Sequence, residues 1–440
     1  MTTHNRTPDA RIQTRRKALL DAGSFPMAAK FPRKETIENL SKCLMAFGNR
    51  LFDFFQLGFD GTAKGYRLEP SVAYPKEYVL NTILTQISHD VGALQKAYQQ
   101  RSVPELASRL KTADNLAYLS LLPAIEQGIL PVSTTITYFH KSPNVRVVPY
   151  APIALVGIPF SARDPHNNFD LLATPHEVGH YVYRHGWLPN APEQRLRTAF
   201  EHKIKRSFPV EERWVLQWLE EIFADTYGCL VATEAMTESF RDILLSHSGK
   251  QFSGDTGKHP IPAVRMYVYT TALERYGYTE VAEQFMLEWE RILDFRGRPS
   301  EFTLGESYAN VSFKAAQETF KKTVDCFAEL AVLDSLKSTP RPVSYPLWGT
   351  VNSQSFDHFV ERYGSDDAPI EIPELKIRDN KIYVDRPGEY DRSNRMLGDT
   401  NTWLDIINRD AQLNAPIPPV AWSAIFDSLD WTDEGPHSRD

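Results

Sequence analysis

The sequence predicts an α+β fold that is predominantly helical and contains one small β-sheet. The chain of 440 residues is 42% hydrophobic and 24% charged, values typical of globular proteins, and it is long enough to bury a core without disulfide bonds. Over most of the chain, apolar residues recur at three- and four-residue spacing, as on the buried face of an amphipathic helix. One short middle stretch is instead rich in β-branched and aromatic residues between turn signals, which is typical of strands.

Composition also excludes some classes of function. The net charge is −7 and the isoelectric point lies near 6.0, which argues against a general nucleic-acid-binding protein. No uncharged apolar run approaches the roughly 20 residues that a membrane-spanning helix needs. The three cysteines, Cys43, Cys229 and Cys326, form no closely spaced pair and are expected to be buried free thiols. We therefore expect a cytoplasmic protein with no membrane span and no nucleic-acid partner.

Changes of pattern along the chain predict three regions. Residues 1–130 form a helical N-terminal region, residues 131–336 a core, and residues 337–440 a mixed C-terminal region that begins with a proline-rich linker. Pro123 is expected to close the first helical block. The predicted elements are helices at residues 34–55, 77–100, 104–122, 174–185, 193–208, 211–236, 263–276, 279–294 and 306–336, and a hairpin at residues 375–377 and 381–384.

The predicted sheet consists of residues 134–139, 145–150 and 153–160. If the last segment is the edge strand, its free backbone groups could hold an extended peptide. Pro159 favours an edge position, and Gly157 would permit close approach of another backbone. A strand buried beneath helices explains the same pattern equally well.

The helix predicted to begin at Thr174 carries the first chemical motif, His176-Glu177-Val-Gly-His180. Thr174 and Glu177 are spaced as a capping box. Two histidines four residues apart lie one turn apart on the same helical face, so both imidazoles can reach one tetrahedral metal ion. Glu177 lies beside them, where a carboxylate can take a proton from water on the metal. The alternative is a solvated helix in which the histidines are ordinary and Glu177 serves only as a cap.

The second motif lies in the predicted helix 211–236, which is apolar on nearly every side yet carries Glu220, Glu221 and Asp225. A buried carboxylate needs a cation or hydrogen-bond donors. Glu221 and Asp225 share one face, so Glu221 could complete a His, His, Glu site while Asp225 orients an imidazole through its other nitrogen. Glu220 points about 100° away and is the less expected ligand. The alternative is a helix edge whose carboxylates pair with nearby arginine or lysine side chains.

Together the two motifs resemble the paired helix motifs of the gluzincin metallopeptidases, HExxH followed by ExxAD. The resemblance implies a zincin-like catalytic core with the small sheet beside the HExxH helix. It also implies Zn²⁺ as the cofactor. Transferred to this sequence, the implied zinc ligands are His176, His180 and Glu221, with Glu177 as general base and Asp225 as the partner of a ligand.

A third element, His259-Pro260 with Arg265 six residues after the histidine, resembles the family of the CaaX prenyl protease and HtpX. That resemblance implies that His259 and Arg265 lie near the substrate or the tetrahedral intermediate. A turn-forming run at residues 254–258 would deliver His259 to the start of the following helix, where a preorganised donor could stabilise an oxyanion. The alternative is an ordinary loop histidine and a surface arginine. The membrane helices of those relatives are absent from this sequence.

These observations lead to an expected function: zinc-dependent hydrolysis of peptide bonds, with a peptide or protein as substrate. Two alternatives remain open. The chain could be a non-catalytic interaction protein with a structural zinc site, although such sites are usually closed and rich in cysteine, whereas His, His, Glu leaves a position for water. The same ligands would also permit hydrolysis of an amide other than a peptide bond.

Overall fold

The computed structural model describes residues 8–24, 31–254, 259–303, 310–330, 353–365, 368, 370–385, 395–398 and 416–428. Over these residues the chain is mostly helical with a few small sheets, which confirms the predicted predominantly helical α+β class. Among the described residues, no helix is both long and apolar enough to cross a bilayer. The predicted proline-rich linker lies outside them.

The chain divides into two compact units, each built from segments that are not contiguous in sequence. The first unit comprises residues 1–107, 146–155 and 373–440, and the second comprises residues 108–145 and 156–372. The three consecutive regions expected from the sequence stay a prediction.

Each of the nine predicted helices has a counterpart among the described helices. The described helices are α1 (Pro8–Gly23), α2 (Lys34–Asp60), α3 (Lys76–Arg101), α4 (Pro104–Glu126), α5 (Ala173–His185), α6 (Leu196–Ser207), α7 (Leu219–Leu245), α8 (Gly249–Ser253), α9 (Pro262–Arg275), α10 (Thr279–Phe295), α11 (Phe313–Glu329), α12 (Ser353–Gly364) and α13 (Pro419–Ser428). Four of the described helices, α1, α8, α12 and α13, were not predicted.

Four helix predictions were wrong in part. Pro123 lies inside α4, which continues to Glu126, so this proline does not end the helix. The helix predicted from residue 211 is split, because Val210–Trp218 is a 3₁₀ helix and α7 starts only after it. Strands occupy the expected starts of two other helices. These strands are Ala191–Arg195 before α6 and Asn310–Ser312 before α11.

The strands of the described residues form five small sheets. They are β1 (Arg67–Leu68), β2 (Thr134–His140), β3 (Asn144–Val147), β4 (Ile153–Pro159), β5 (Trp187–Leu188), β6 (Ala191–Arg195), β7 (Glu301–Thr303), β8 (Asn310–Ser312), β9 (Glu374–Arg378), β10 (Lys381–Asp385), β11 (Arg395–Met396) and β12 (Pro416–Ile417). The three-stranded sheets have the orders β2-β4-β3 and β11-β10-β9. Strand β1 pairs with β12 in parallel, whereas β5 with β6 and β7 with β8 are antiparallel.

Of the two interpretations left open for the segment that forms β4, the edge strand is wrong and the buried strand is confirmed. This strand lies between β2 and β3, and all of its residues except Pro159 are buried, so its backbone is not free to receive a peptide. Gly157 does permit a close approach, but to a side chain of the same unit. A Cβ at Gly157 would lie 2.5 Å from Oδ1 of Asn144.

In the first unit, the predicted hairpin is confirmed as β9 and β10. Its two turn residues, Asp379 and Asn380, have φ values of 49° and 61°, the left-handed conformation that a two-residue type I′ turn requires. Polar contacts fix the hairpin on α2. The amide of Asn39 donates to the carbonyl oxygen of Leu375 at 2.7 Å, and the backbone N–H of Leu375 donates to the hydroxyl of Thr36 at 3.0 Å.

In the second unit, α5 and α7 pack at very short range because small residues line their crossing. A Cβ at Gly179 of α5 would lie 2.8 Å from the Cα of Ala224 of α7. A Cβ at Gly228, one turn further along α7, would lie 3.2 Å from the backbone nitrogen of His176. Only side chains this small allow the two backbones to approach so closely. The crossing therefore brings the two sequence motifs face to face.

Helix α7 is not straight. Thr233 has φ 43° and ψ −123°, a conformation outside the helical region. The sulfur of Cys229 lies 3.8 Å from the hydroxyl of Thr237, although eight residues would span about 12 Å in a continuous helix. The chain therefore reverses at Thr233, and residues 234–245 return along the first half of α7.

Candidate metal centre

The helix that carries the first motif begins differently from the prediction. Helix α5 follows directly on a 3₁₀ turn, Phe169–Leu172, and starts at Ala173. Leu172 occupies the N-cap position, with no side-chain cap, and Thr174 is buried inside the helix. The predicted capping box of Thr174 and Glu177 is therefore wrong.

Three side chains converge on one point between α5 and α7. The Nε2 atoms of His176 and His180 lie 3.1 Å apart. The carboxylate of Glu221 approaches both, with distances of 3.6 Å from Oε2 to His176 Nε2 and 3.5 Å from Oε1 to His180 Nε2. All three residues are buried, and their ligand atoms lie within 4.8 Å of one another, so they could hold one metal ion. These are the three ligands expected from the sequence.

The outer nitrogen of His176 faces a fully buried carboxylate. Its Nδ1 lies 3.0 Å from Oδ1 of Asp225, the distance expected for a partner that orients the ring. Arg265 donates to both oxygens of Asp225, at 2.7 and 2.8 Å, and the hydroxyl of Tyr269 donates to Oδ1 at 2.5 Å. Burial alone would raise the pKa of Asp225, but Arg265 and His176 outweigh it and hold that pKa well below its usual range. Burial lowers the pKa of His176.

The outer nitrogen of His180 has its own carboxylate partner, which the sequence analysis missed. Oε1 of Glu220 lies 2.9 Å from His180 Nδ1 and accepts from Nε of Arg184 at 2.7 Å. Burial would raise the pKa of Glu220, but the contacts with His180 and Arg184 lower it to about 2. A signal was available, because Arg184 lies one turn after His180 on α5 and requires an anion opposite.

Arg265 lies behind the ligands and not beside an open position. Its side chain is 9% exposed, and Nη2 donates to Oε2 of Glu221 at 3.0 Å as well as to Asp225. The expectation that it lies near the substrate therefore has no support in its contacts, which tie two carboxylates together. His259 is different, because its side chain is 52% exposed and its Nε2 lies 3.4 Å from Oε1 of Glu221. Residues 255–258 of the predicted turn lie outside the described residues.

Glu177 belongs to the same buried cluster. The residue is 8% exposed. Its charge also acts on a ligand: burial would lower the pKa of His180, but the carboxylates of Glu221, Glu220 and Glu177 raise it to about 9. Glu177 therefore lies near enough to His180 for its charge to act on that ring, and a carboxylate in this position is a candidate for proton exchange with a molecule bound at the cluster.

The charges of the cluster fit a divalent cation. Six ionised groups surround the histidines: the carboxylates are Glu177, Glu220, Glu221 and Asp225, and the guanidinium groups are Arg184 and Arg265. A histidine that binds a metal ion must be neutral. With both rings neutral, the four carboxylates outnumber the two guanidinium groups by two, which leaves two negative charges for the cation to balance. Two nitrogen donors and one carboxylate also form a donor set that zinc prefers. The residues present therefore fit Zn²⁺.

An aromatic side chain from the returning half of α7 covers the inner side of the cluster. The ring of Phe240 lies 5.2 Å from the rings of His176 and Tyr269, and 5.4 Å from the guanidinium of Arg265. This contact depends on the reversal at Thr233, which brings residue 240 back beside Asp225. An apolar cover lowers the local dielectric constant and strengthens the ion pairs beneath it.

No protein-family model, curated protein or solved structure matches this chain, so the geometry and chemistry of this cluster carry the functional argument by themselves.

Proposed function

We propose that the protein is a zinc-dependent peptidase of gluzincin type with a zincin-like core, in which Glu177 is the general base. The observation that carries the proposal is the convergence of His176, His180 and Glu221 with Glu177 in the same buried cluster. The resemblance of the two motifs to HExxH and ExxAD supports it. The charge balance of the site and the open fourth position of a His, His, Glu set support it as well.

In this proposal the chain supplies the ligands and the proton transfers. His176, His180 and Glu221 would hold zinc, which when bound supplies a Lewis acid that polarises a carbonyl and lowers the pKa of water. Glu177 accepts the proton of the attacking water and later passes it to the leaving amine. His259, the exposed residue at the edge of Glu221, donates a hydrogen bond to the carbonyl oxygen as negative charge develops.

The other charged residues act on the ligands and not on the substrate. The carboxylate of Asp225, 3.0 Å from Nδ1 of His176, favours the proton on that nitrogen and so leaves the lone pair on Nε2, the atom that faces Glu221. Arg265 holds Asp225 and Glu221 in fixed positions through three hydrogen bonds. A rigid set of ligands lowers the cost of reorganisation during the reaction.

The test compares the wild-type protein with Glu177→Gln, both loaded with zinc, on a proteome-derived peptide library whose new termini are sequenced by mass spectrometry. New termini are expected with the wild type and a loss of about 100-fold or more with the variant, because the amide cannot accept a proton. Both proteins are expected to bind one zinc ion per chain.

Glu201→Gln is the matched control, because this glutamate pairs with exposed basic residues on α6. It should cleave as the wild type does. Equal cleavage by the wild type and Glu177→Gln would contradict the assigned base. A zinc-loaded wild type that produces no new termini would contradict the peptidase assignment.

A further inference from the structure

A second polar contact between α5 and α7 is formed at His180, in addition to the contact at His176. Glu220 is the second residue of α7, and Arg184 is four residues after His180 on α5. A single oxygen, Oε1 of Glu220, is shared between His180 Nδ1 and Arg184 Nε. Arg184 of α5 therefore holds the carboxylate of Glu220 against His180, which lies one turn earlier on the same helix.

A carboxylate at Nδ1 determines which ring nitrogen carries the proton. With the proton on Nδ1, the lone pair of His180 is on Nε2, which faces Oε1 of Glu221 at 3.5 Å. Asp225 does the same for His176. Each of the two histidines therefore has a carboxylate that fixes its orientation, although only one of these carboxylates lies in the ExxAD motif.

The two carboxylates differ in their surroundings. The side chain of Asp225 is 0% exposed and is held by Arg265 and Tyr269. The side chain of Glu220 is 24% exposed and that of Arg184 is 12% exposed. Water therefore reaches the His180 side of the cluster more easily than the His176 side.

We propose that Glu220, held by Arg184, is the positioning residue of His180, and that this pair sets how tightly and for how long the site retains its metal. The inference rests on the zinc site of the proposed function but not on the peptidase reaction.

The experiment measures zinc directly. The dissociation constant is determined by competition with a colorimetric chelator, and the release rate is determined after addition of excess chelator. Glu220→Ala is expected to weaken zinc binding by about 10- to 100-fold and to accelerate release. Glu220→Gln should lose less, because the amide oxygen can still accept from Nδ1. Arg184→Gln should fall between the wild type and Glu220→Ala.

Glu212→Gln is the matched control, since Glu212 lies in the 3₁₀ helix before α7 and pairs with Lys322 on the surface. It should bind zinc as the wild type does. A further measurement separates positioning from a general structural role. The visible absorption of the cobalt-substituted Glu220→Ala protein should change, because its ligand geometry changes, whereas a loss of stability alone would leave that spectrum as in the wild type.

Wild-type affinity and release rate in Glu220→Ala would overturn this inference and leave the zinc site intact. A lowered melting temperature in chelator-treated Glu220→Ala with an unchanged cobalt spectrum would also overturn it, in favour of a structural role. If the wild type binds no zinc, both this inference and the proposed function fall.

Discussion

At the scale of single residues, the lack of a side chain at Gly179 is as important for the site as the two histidines near it in sequence, because it lets α5 approach α7. An alanine in a helix is normally more stable than glycine by about 1 kcal/mol. At position 179, however, the added carbon would meet the Cα of Ala224 at 2.8 Å, and a backbone atom cannot move aside easily. We expect Gly179→Ala to lower the free energy of unfolding by about 1–3 kcal/mol and to weaken zinc binding, because it separates α5 from α7.

Gly92→Ala is the control for this prediction. Gly92 lies inside α3, and a Cβ there would have no atom within 4 Å, so the usual gain of about 1 kcal/mol is expected. Unfolding of each variant is followed in urea by circular dichroism. A Gly179→Ala protein as stable as the wild type would contradict the close contact.

The site residues were largely predictable from the sequence, because the spacing of residues along a single helix shows which of them share a face. Four-residue spacing placed His176 with His180, and Glu221 with Asp225. The contact of Glu220 with His180 was not predicted, because helical spacing shows only which residues share a face of the same helix. The partners of Glu220 are on α5, and the relative position of two helices cannot be read from the period of either.

At the scale of elements, the reversal at Thr233 stores strain that glycine would relieve. A φ of 43° with ψ of −123° is unfavourable for a β-branched residue and costs about 1–3 kcal/mol. We expect Thr233→Gly to raise the free energy of unfolding by about 1 kcal/mol, since glycine adopts this conformation readily. Thr237→Gly, one turn later in regular helix, is expected to lower it by about 1 kcal/mol.

Both variants are compared by urea unfolding. A decrease in both would mean that the hydroxyl and methyl contacts of Thr233 outweigh its backbone strain. A Thr233→Gly protein destabilised as much as Thr237→Gly, or more, would contradict the strain assigned to Thr233.

Elements whose character depends on distant pairing were harder to predict. The apolar segment before α5 was recognisable as a strand, yet its central place in the sheet depends on residues that pair with it from both sides. Pro123 lies inside α4 although proline has the lowest helix propensity of all residues. Tertiary packing overrides that propensity, and packing cannot be read from the local sequence. The hairpin of β9 and β10 was predictable, since Asp379 and Asn380 suit the turn by themselves.

At the scale of the whole molecule, burial makes the cysteine thiols unreactive. It raises the pKa of Cys43 and of Cys229 to about 12 and that of Cys326 to about 11. The thiolate is the reactive form, so no thiol of the folded protein should react rapidly with a disulfide reagent at pH 8. All three should react in denaturant.

The same shifts predict a loss of stability at alkaline pH. A thiol whose pKa is higher in the folded state stabilises that state fully below its unfolded pKa of about 8.5, and this contribution is lost as the pH rises toward 11–12. The free energy of unfolding should therefore be lower at pH 10 than at pH 8. Replacing Cys43 and Cys229 with alanine should reduce this difference, and an unchanged difference would contradict the thiol contribution.

The contact of Gly179 with Ala224 also changes how this site can be sought in other sequences. Gly179 occupies a free position of HExxH, whereas Ala224 is the alanine already written in ExxAD. Because the two backbones touch there, replacement at one position cannot be compensated by shrinking the other, which is already close to the minimum size. A search that demands small residues at both positions, together with the two histidines and the glutamate, is therefore more selective than one based on the polar letters alone.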